Sequence, residues 1–414
     1  AGGALTIGTE NIFIGYNAGL APTNNSYNIA IGNYALGGAT FAAEATIAIG
    51  YQAGDAISSG ARNTAVGYQS LSAIVTASDS TAVGYQALIL DTGGSNTAVG
   101  SGAGDGITTG TGNVALGLNA LGGASFGAAT NNIGIGNSAG IAITASGNQN
   151  VMIGTSAGAA ITTGDDNVLI GYQAGDAFDL ESQNIAIGTD ALGGATYAAA
   201  ANIAIGYFAG DAITVGLRHT AVGWTALSAV AANNDNTAVG YNALAATTGG
   251  GNTAVGSGAL DAGTTGTNNV AIGLDAMGAT TSASDQCVAV GVGALGNGGA
   301  GIDQNTAVGY QAGLGVTGIR NTAFGFQAGE GITSGGRNLA IGHTADVPTA
   351  TDSNQMNIGG LLWSTGVSTG DDTTVATGGL GLGGMPAAGT LLSIETGGAG
   401  RNMVTSVGMG IDVE

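Results

Sequence analysis

A short run of branched apolar and small residues recurs about every 17 residues along nearly the whole chain. Its clearest form is Asn-Thr-Ala-Val-Gly-Tyr-Gln-Ala at 305–312. Counted from its glycine, the residue just before is Ile or Val from Ile14 to Ile341, with Leu116 and Phe324 as larger exceptions. Two before the glycine stands Ala, as in Ala30, Ala48, Ala65, Ala82 and Ala98, and three before stands Ile, Val or Thr. Three after it Ala returns, from Ala18 to Ala345, with Ser70 the sole replacement. Neighbouring residues of a strand point to opposite faces. The pattern therefore predicts a strand with β-branched residues on one face, Tyr just beyond the glycine, and Asn, Ala, Gly and Gln on the other face. Branched residues suit a pleated sheet. The segments between, such as Asp-Ala-Ile-Ser-Ser-Gly-Ala-Arg at 55–62, read as turns. Glycine recurs too often, and no 3.6-residue apolar stripe persists, for a helix.

A unit this short cannot bury a core alone and must stack on its neighbours. The expected fold is all-β, a parallel β-solenoid or β-roll of about 21 coils, which at roughly 4.8 Å per strand gives a stack near 100 Å. Residues 1–346 read as the repeat shaft. Residues 347–414 read as a small β-rich C-terminal cap, with Pro348, Leu361-Leu-Trp363, a Gly-rich run from Gly378 to Gly384, Pro386 and Leu391-Leu-Ser-Ile394. A higher order is visible as well. Ala35-Leu-Gly-Gly-Ala-Thr-Phe41 returns as Ala191-Leu-Gly-Gly-Ala-Thr-Tyr197, and the glycine spacings after Gly32 repeat after Gly188, as if a block of coils had been duplicated.

Composition narrows the function classes. Glycine supplies 82 of 414 residues without a three-residue period, which excludes collagen, and Val and Ile at fixed places argue against disorder. There is no lysine, and the formal net charge is −21. No basic stripe exists to release counterions from nucleic acid, and an anionic membrane surface would repel the chain. No stretch approaches the roughly 18 apolar residues of a membrane helix, so membrane insertion is not expected. Cys287 is the single cysteine, which rules out an intrachain disulfide. With no initiator Met and no signal segment, the sequence reads as a processed or excised piece of something longer. A surface of Asn, Thr, Ser, Gln and Gly suits carbohydrate or protein contact in an extracellular setting.

The strongest polar feature is an Asn column four residues before the glycine. It includes Asn63, Asn96, Asn113, Asn167, Asn184, Asn236, Asn252, Asn305, Asn321 and Asn338. Stacked amides can hydrogen-bond along such a column and satisfy turn groups that would otherwise be buried unpaired, so it reads as a structural ladder. His219 and Cys287 occupy the same slot, as substitutions in the ladder rather than as a base and a nucleophile. Acidic residues recur five after the glycine, at Asp55, Asp105, Asp176, Asp211, Asp261 and Glu330, and read as solvated turns. Calcium needs several converging oxygens. The adjacent pairs Asp165–Asp166 and Asp371–Asp372 are the calcium candidates, and no other cofactor is expected. No carboxylate pair stands out for glycoside hydrolysis, and Gly100-Ser-Gly-Ala-Gly104 lacks the lysine of a phosphate loop. A non-enzymatic role is expected. The Tyr column, with Trp224 and Phe326, reads as packing, although exposed aromatics would suit sugar contact.

The unit Asn63-Thr-Ala-Val-Gly-Tyr-Gln resembles the Asn-Ser-Val-Ala-Ile-Gly-type repeat of trimeric autotransporter adhesin heads. Asn305-Thr-Ala-Val-Gly-Tyr-Gln-Ala-Gly313 is similar to the repeat of phage tail-fibre and related bacterial surface proteins, and Pro348 to Gly359 to the segment that ends such arrays. The resemblance implies a left-handed homotrimer on a virion tail or cell-surface appendage. Its implied partners are a host cell-surface glycan or protein and other virion or appendage proteins. It also implies an endosialidase-type chaperone beyond Glu414, either released after assembly or never present. The function expected is a fibre that reaches a host surface and binds it weakly many times over. A bacterial trimeric adhesin or extracellular filament is the alternative, ahead of a polysaccharide-degrading tailspike and an ice-binding solenoid using Thr64, Thr81 and Thr97. The small Ala/Gly face, including Ala238 and Ala254, is expected at the contact between chains.

Overall fold

The computed structural model describes residues 8–364, apart from 21–24, 39–41, 124–125, 178, 195–199, 215, 230–232, 247, 263–264, 280–283 and 300, together with 380–382. The chain forms two compact units, Ala1–Ala232 and Asn233–Glu414. The same event repeats within each. Three residues extend, a glycine turns the chain, and the next coil lays its three residues beside the last. In the first unit the strands run from Ile12–Ile14 to Thr220–Val222, and in the second from Thr237–Val239 to Met356–Ile358. Pairing is parallel and in register at equivalent repeat positions. Thr64, Ala65 and Val66 lie opposite Thr81, Ala82 and Val83, and Val270, Ala271 and Ile272 lie opposite Val288, Ala289 and Val290. The fold is an all-β parallel β-solenoid, with no helix among the described residues.

Backbone bonding between coils does not stop at the strand. The N–H of Gln69 donates back to the carbonyl of Tyr51 (2.9 Å), and that of Leu71 donates forward to Ala87 (3.1 Å). The turns are thus stacked as firmly as the strands. Three positions in each coil sit at positive φ besides the repeat glycine, as at Arg62 (59°), Gln69 (49°) and Leu71 (50°). The repeat glycine itself is at 131–142° from Gly15 to Gly342, a region in which side chains are essentially not tolerated.

The strand's middle residue points inward and its two neighbours point out. Ala238 and Ala254 are wholly buried inside a single chain. The expectation that the Ala/Gly face meets another chain is therefore overturned, because each coil closes on that face itself. The interior is narrow, and a methyl group at Gly329 would stand 3.1 Å from Ala323 Cβ across the same coil.

Core volume is shared between neighbouring coils. Four residues after the repeat glycine stands, in nearly every coil, a buried leucine (such as Leu36, Leu71, Leu88, Leu121 and Leu192) or a glycine (such as Gly54, Gly104, Gly210 and Gly313), with Met277 in place of leucine once and Asp346 in the last such coil. Glycine at that place is joined by an Ile or Val three residues on: Ile57, Ile107, Ile213 and Val316. A Cβ at Gly54 would lie 2.8 Å from Ile57 Cδ1 and 3.2 Å from Leu36 Cδ2 of the preceding coil. Where the inner strand residue is enlarged, to Met152 or Leu169, glycines accommodate it. Met152 Sδ would be 2.7 Å from a Cβ at Gly140, and Leu169 Cδ1 2.9 Å from one at Gly158. Close packing leaves no room for a methylene in excess.

Parallel pairing continues past residue 346, where the sequence pattern placed the end of the shaft, with Met356–Ile358 paired to Leu339–Ile341. After Ile358 the direction reverses. Leu362–Ser364 pairs antiparallel with that last strand and with Leu380–Leu382. The other residues assigned to the cap, 365–379 and 383–414, lie outside the described residues.

Replacing Gly171 by Ala forces a side chain at φ 142° into overlap with the carbonyl oxygen of Gly188. The expected destabilisation is at least about 3 kcal/mol. Gly301→Ala, at φ 71° with nothing within 4 Å, should cost only about 1–2 kcal/mol. Denaturant melts of the two variants compare them directly.

Candidate functional site

Each buried Asn of the ladder holds the next coil at two points. The N–H of Asn184 donates to Asn167 Oδ1 (3.0 Å), while Asn167 Nδ2 donates to the carbonyl of Glu181 (2.7 Å). Asn63 takes the N–H of Ser80 (2.9 Å) and donates to Ala77 (3.0 Å), and Asn96 takes that of Asn113 (2.9 Å) and donates to Gly110 (2.8 Å). Asn113 donates to Ala129 (3.0 Å), and Asn184 takes the N–H of Asn202 (3.0 Å). In the second unit Asn236, Asn252, Asn305, Asn321 and Asn338 donate to Gly249, Gly266, Gly318, Gly335 and Asp352. The geometry suits Asn, and Gln355 at the last place of the column turns its Nε2 to the carbonyls of Thr349 and Asp352 of its own coil instead. Asp has no N–H to give, and Gln is a methylene too long for the same pair of bonds.

Substitutions in the column keep the backbone half of the arrangement. Thr46, His219 and Cys287 each donate their N–H to the asparagine before them (Asn28, Asn202 and Asn269). Cys287 Sγ donates to the carbonyl of Ile302 (2.8 Å), and burial pushes its thiol up to about 11, leaving no thiolate at neutral pH. Where Ser80 is too short, the buried Asp91 fills in. It accepts from Ser80 Oγ (2.9 Å), Asn96 Nδ2 (3.1 Å) and the N–H groups of Gly93 and Gly94. Burial raises its pKa against those four donors.

A second ladder, missed by the sequence reading, runs two residues earlier. There the side chain of one coil accepts the N–H of the coil before it: Thr130 to Asn148 (2.8 Å), Asn148 to Asp165 (2.6 Å) and Asp165 to Ser182 (2.9 Å). Its signal was the Ser, Thr, Asn or Asp at that place. This accounts for one calcium candidate: Asp165 belongs to the ladder, while Asp166 is exposed at φ 59°. Asp371 and Asp372 lie outside the described residues. Among the described residues no group of three or more His, Cys, Asp or Glu is placed to hold a metal.

The acidic column differs from the solvated turns expected of it. Glu330 is exposed, but Asp55, Asp105, Asp176, Asp211 and Asp261 are partly buried, and burial pushes each carboxyl up. Asp190, two residues after the glycine of the coil between, adds its charge to both Asp176 and Asp211, and Asp275 does the same to Asp261. Sequence spacing concealed this because the coupling residue sits at a different repeat position. Arg62 pairs with Asp79 (2.6 Å) elsewhere on the surface.

Outside, the third strand residue, joined in many coils by an Ile or Val at the first place and by a large residue after the glycine, forms an apolar ribbon within each unit. Val255 is 37 % exposed, Ile272 39 % and Phe324 55 %. Tyr51, Tyr68 and Tyr85 stack with centroids 5.3 Å apart, Tyr207 lies against Trp224, and Tyr310, Phe326 and His343 form a second stack. Tyr172 and Tyr241 are exposed in the same column. Beside the rings runs an amide ladder, Gln86 Nε2 donating to Gln69 Oε1 (3.1 Å) and Gln69 Nε2 to Gln52 Oε1 (3.0 Å).

No protein-family model matches the chain, and no curated protein or solved structure matches it significantly.

Asn167→Ala should destabilise the fold by roughly 1–3 kcal/mol through loss of its bonds to the Asn184 N–H and the Glu181 carbonyl, as read from urea melts. The carboxylates act in the other direction. Raised folded-state pKa values mean that ionised Asp176 and Asp211 subtract stability at neutral pH. Stability is regained as pH falls through those raised values toward the ordinary carboxylate range. Asp190→Asn should raise the neutral-pH melting temperature and flatten its rise on mild acidification.

Proposed function

We propose that the chain is the shaft of a homotrimeric extracellular attachment fibre, of the kind found on phage tails and comparable appendages. It works by reach and by weak contacts multiplied across copies rather than by catalysis. The observation that carries this reading is the outward apolar ribbon. Each coil fills its own interior, yet its strand turns an apolar residue to the outside, and in many coils an aromatic follows the glycine, on a chain otherwise rich in acidic and neutral polar groups. Contiguous exposed apolar surface of this kind marks an interaction face. A face with the period of the coil is matched by another face with the same period, which a second copy of the chain supplies in register. The resemblance of Asn305–Gly313 to tail-fibre repeats supports three copies around one axis. The ribbon thus takes the place of the buried Ala238 and Ala254 as the contact between chains. Three parallel shafts deliver any receptor site three times, which raises avidity without a strong single site.

Light scattering on the purified chain should give three times 39.2 kDa. The double variant Val255→Asp/Ile272→Asp should run as a monomer with an unchanged β-type circular dichroism spectrum. A wild-type monomer at micromolar concentration, or a variant that stays trimeric, defeats the reading.

A further inference from the structure

We propose that a groove in the second unit is a binding site for a neutral saccharide, held between the open end of an amide ladder and a carboxylate pair. The inference deepens the attachment reading by giving its partner a chemistry.

The groove arises from missing side chains. Two residues after the repeat glycine, four successive coils carry Gly258, Asp275, Gly293 and Gln311. Where the coil before also carries glutamine, the glutamine at this place donates its Nε2 to it, as Gln327 does to Gln311 (3.0 Å). The coil before Gln311 offers only Gly293, so Gln311 Nε2 meets no acceptor among the described residues. Its side chain leans over the gap, with Cγ 3.4 Å from where a Cβ at Gly293 would stand. One coil further back, the Asp275 carboxylate lies across the equally bare Gly258, with Asp261 beside it. The space enclosed is about 490 Å³ and is completed by Asn297, Val292 and Leu314. That size falls within the roughly 300–1,000 Å³ of small-ligand sites.

The chemistry selects among ligands. Asp261 and Asp275 accept hydrogen bonds, Gln311 offers one, Asn297 does either, and Val292 and Leu314 supply an apolar wall. A sugar ring presents hydroxyls on its rim and C–H groups on its faces, and it matches this set. An anionic ligand would meet two carboxylates and no lining cation. A metal ion has no use for the N–H that Gln311 holds open.

Gly293→Gln is the decisive variant. Glutamine already occupies this place at φ 49–54° in Gln52, Gln69, Gln86, Gln173, Gln311 and Gln327, close to the 64° of Gly293. The new side chain would therefore complete the ladder and close the gap without unfolding the coil. Saturation-transfer NMR and calorimetry on the full chain would use methyl glycosides of glucose, galactose and mannose, N,N′-diacetylchitobiose and, separately, calcium chloride. At least one neutral glycoside should bind in the millimolar range, and at least tenfold more weakly to Gly293→Gln and Asp275→Asn, with melting temperatures not lowered. No glycoside binding, equal binding by Gly293→Gln, or saturable calcium binding in place of sugar overturns the proposal. Light scattering on the same samples separates the two readings. A trimer that ignores every sugar removes the groove but leaves the fibre, whereas a monomer that binds sugar removes the fibre.

Discussion

The double hydrogen bond made by one buried asparagine per coil is the constraint from which the remaining structure follows. A coil of about 17 residues with a three-residue strand has little regular structure of its own. Its return path must pass through left-handed turns whose peptide groups face the interior. Asn167 and its equivalents satisfy an N–H and a carbonyl of the next coil at once, and so fix both ends of the segment that approaches the strand. Without that fixation the register of the following strand would be set by three residues alone. A slip of one would turn Ala outward and the branched residues inward. The substitutions at Ser80 and Cys287 keep the bonding by other means, Asp91 standing beside Ser80 and the Cys287 thiol itself donating to the Ile302 carbonyl.

Inside and outside then obey separate rules. The interior is a column of alanines with leucine, isoleucine and methionine let in where glycine makes room. The exterior strand face carries branched residues and, in several runs of coils, stacked rings, and among the described residues the chain's own coils leave it open. Asp91 apart, the acidic groups discussed gather at the turns, where Asp190 comes close enough to Asp176 and Asp211 to act on both. With so few basic residues, the fold tolerates this repulsion because hydrogen bonding along several parallel ladders opposes it.

The repeat, the strand, its parallel stacking and the Asn ladder were legible in the sequence because each depends on one position read against its own copies. What was not legible depends on comparing different positions in adjacent coils. Asp190 couples Asp176 to Asp211 from another column, and the ladder through Asn148 and Asp165 uses residues that vary between Ser, Thr, Asn and Asp. The placement of the Ala face failed for a related reason. Small residues permit close approach of any backbone, and the pattern cannot say whether that backbone belongs to a neighbouring chain or to the far side of the same coil. The groove at Gly293 is likewise an absence, visible only once Gln311 is seen reaching over it.

The sharing of core volume between neighbours has an evolutionary corollary. A coil carrying Leu36 fits beneath one carrying Gly54, where any Cβ would overlap it, so single coils are not freely interchangeable cassettes. Unequal recombination that inserted one coil at random would leave a void or an overlap at each junction. The order Leu36, Gly54, Leu71, Leu88 returns as Leu192, Gly210, Leu227, Leu244, which keeps Leu36 and Leu192 each beside the glycine that makes room for it. Such an array grows by copying long stretches with compatible edges, and its length is inherited in jumps.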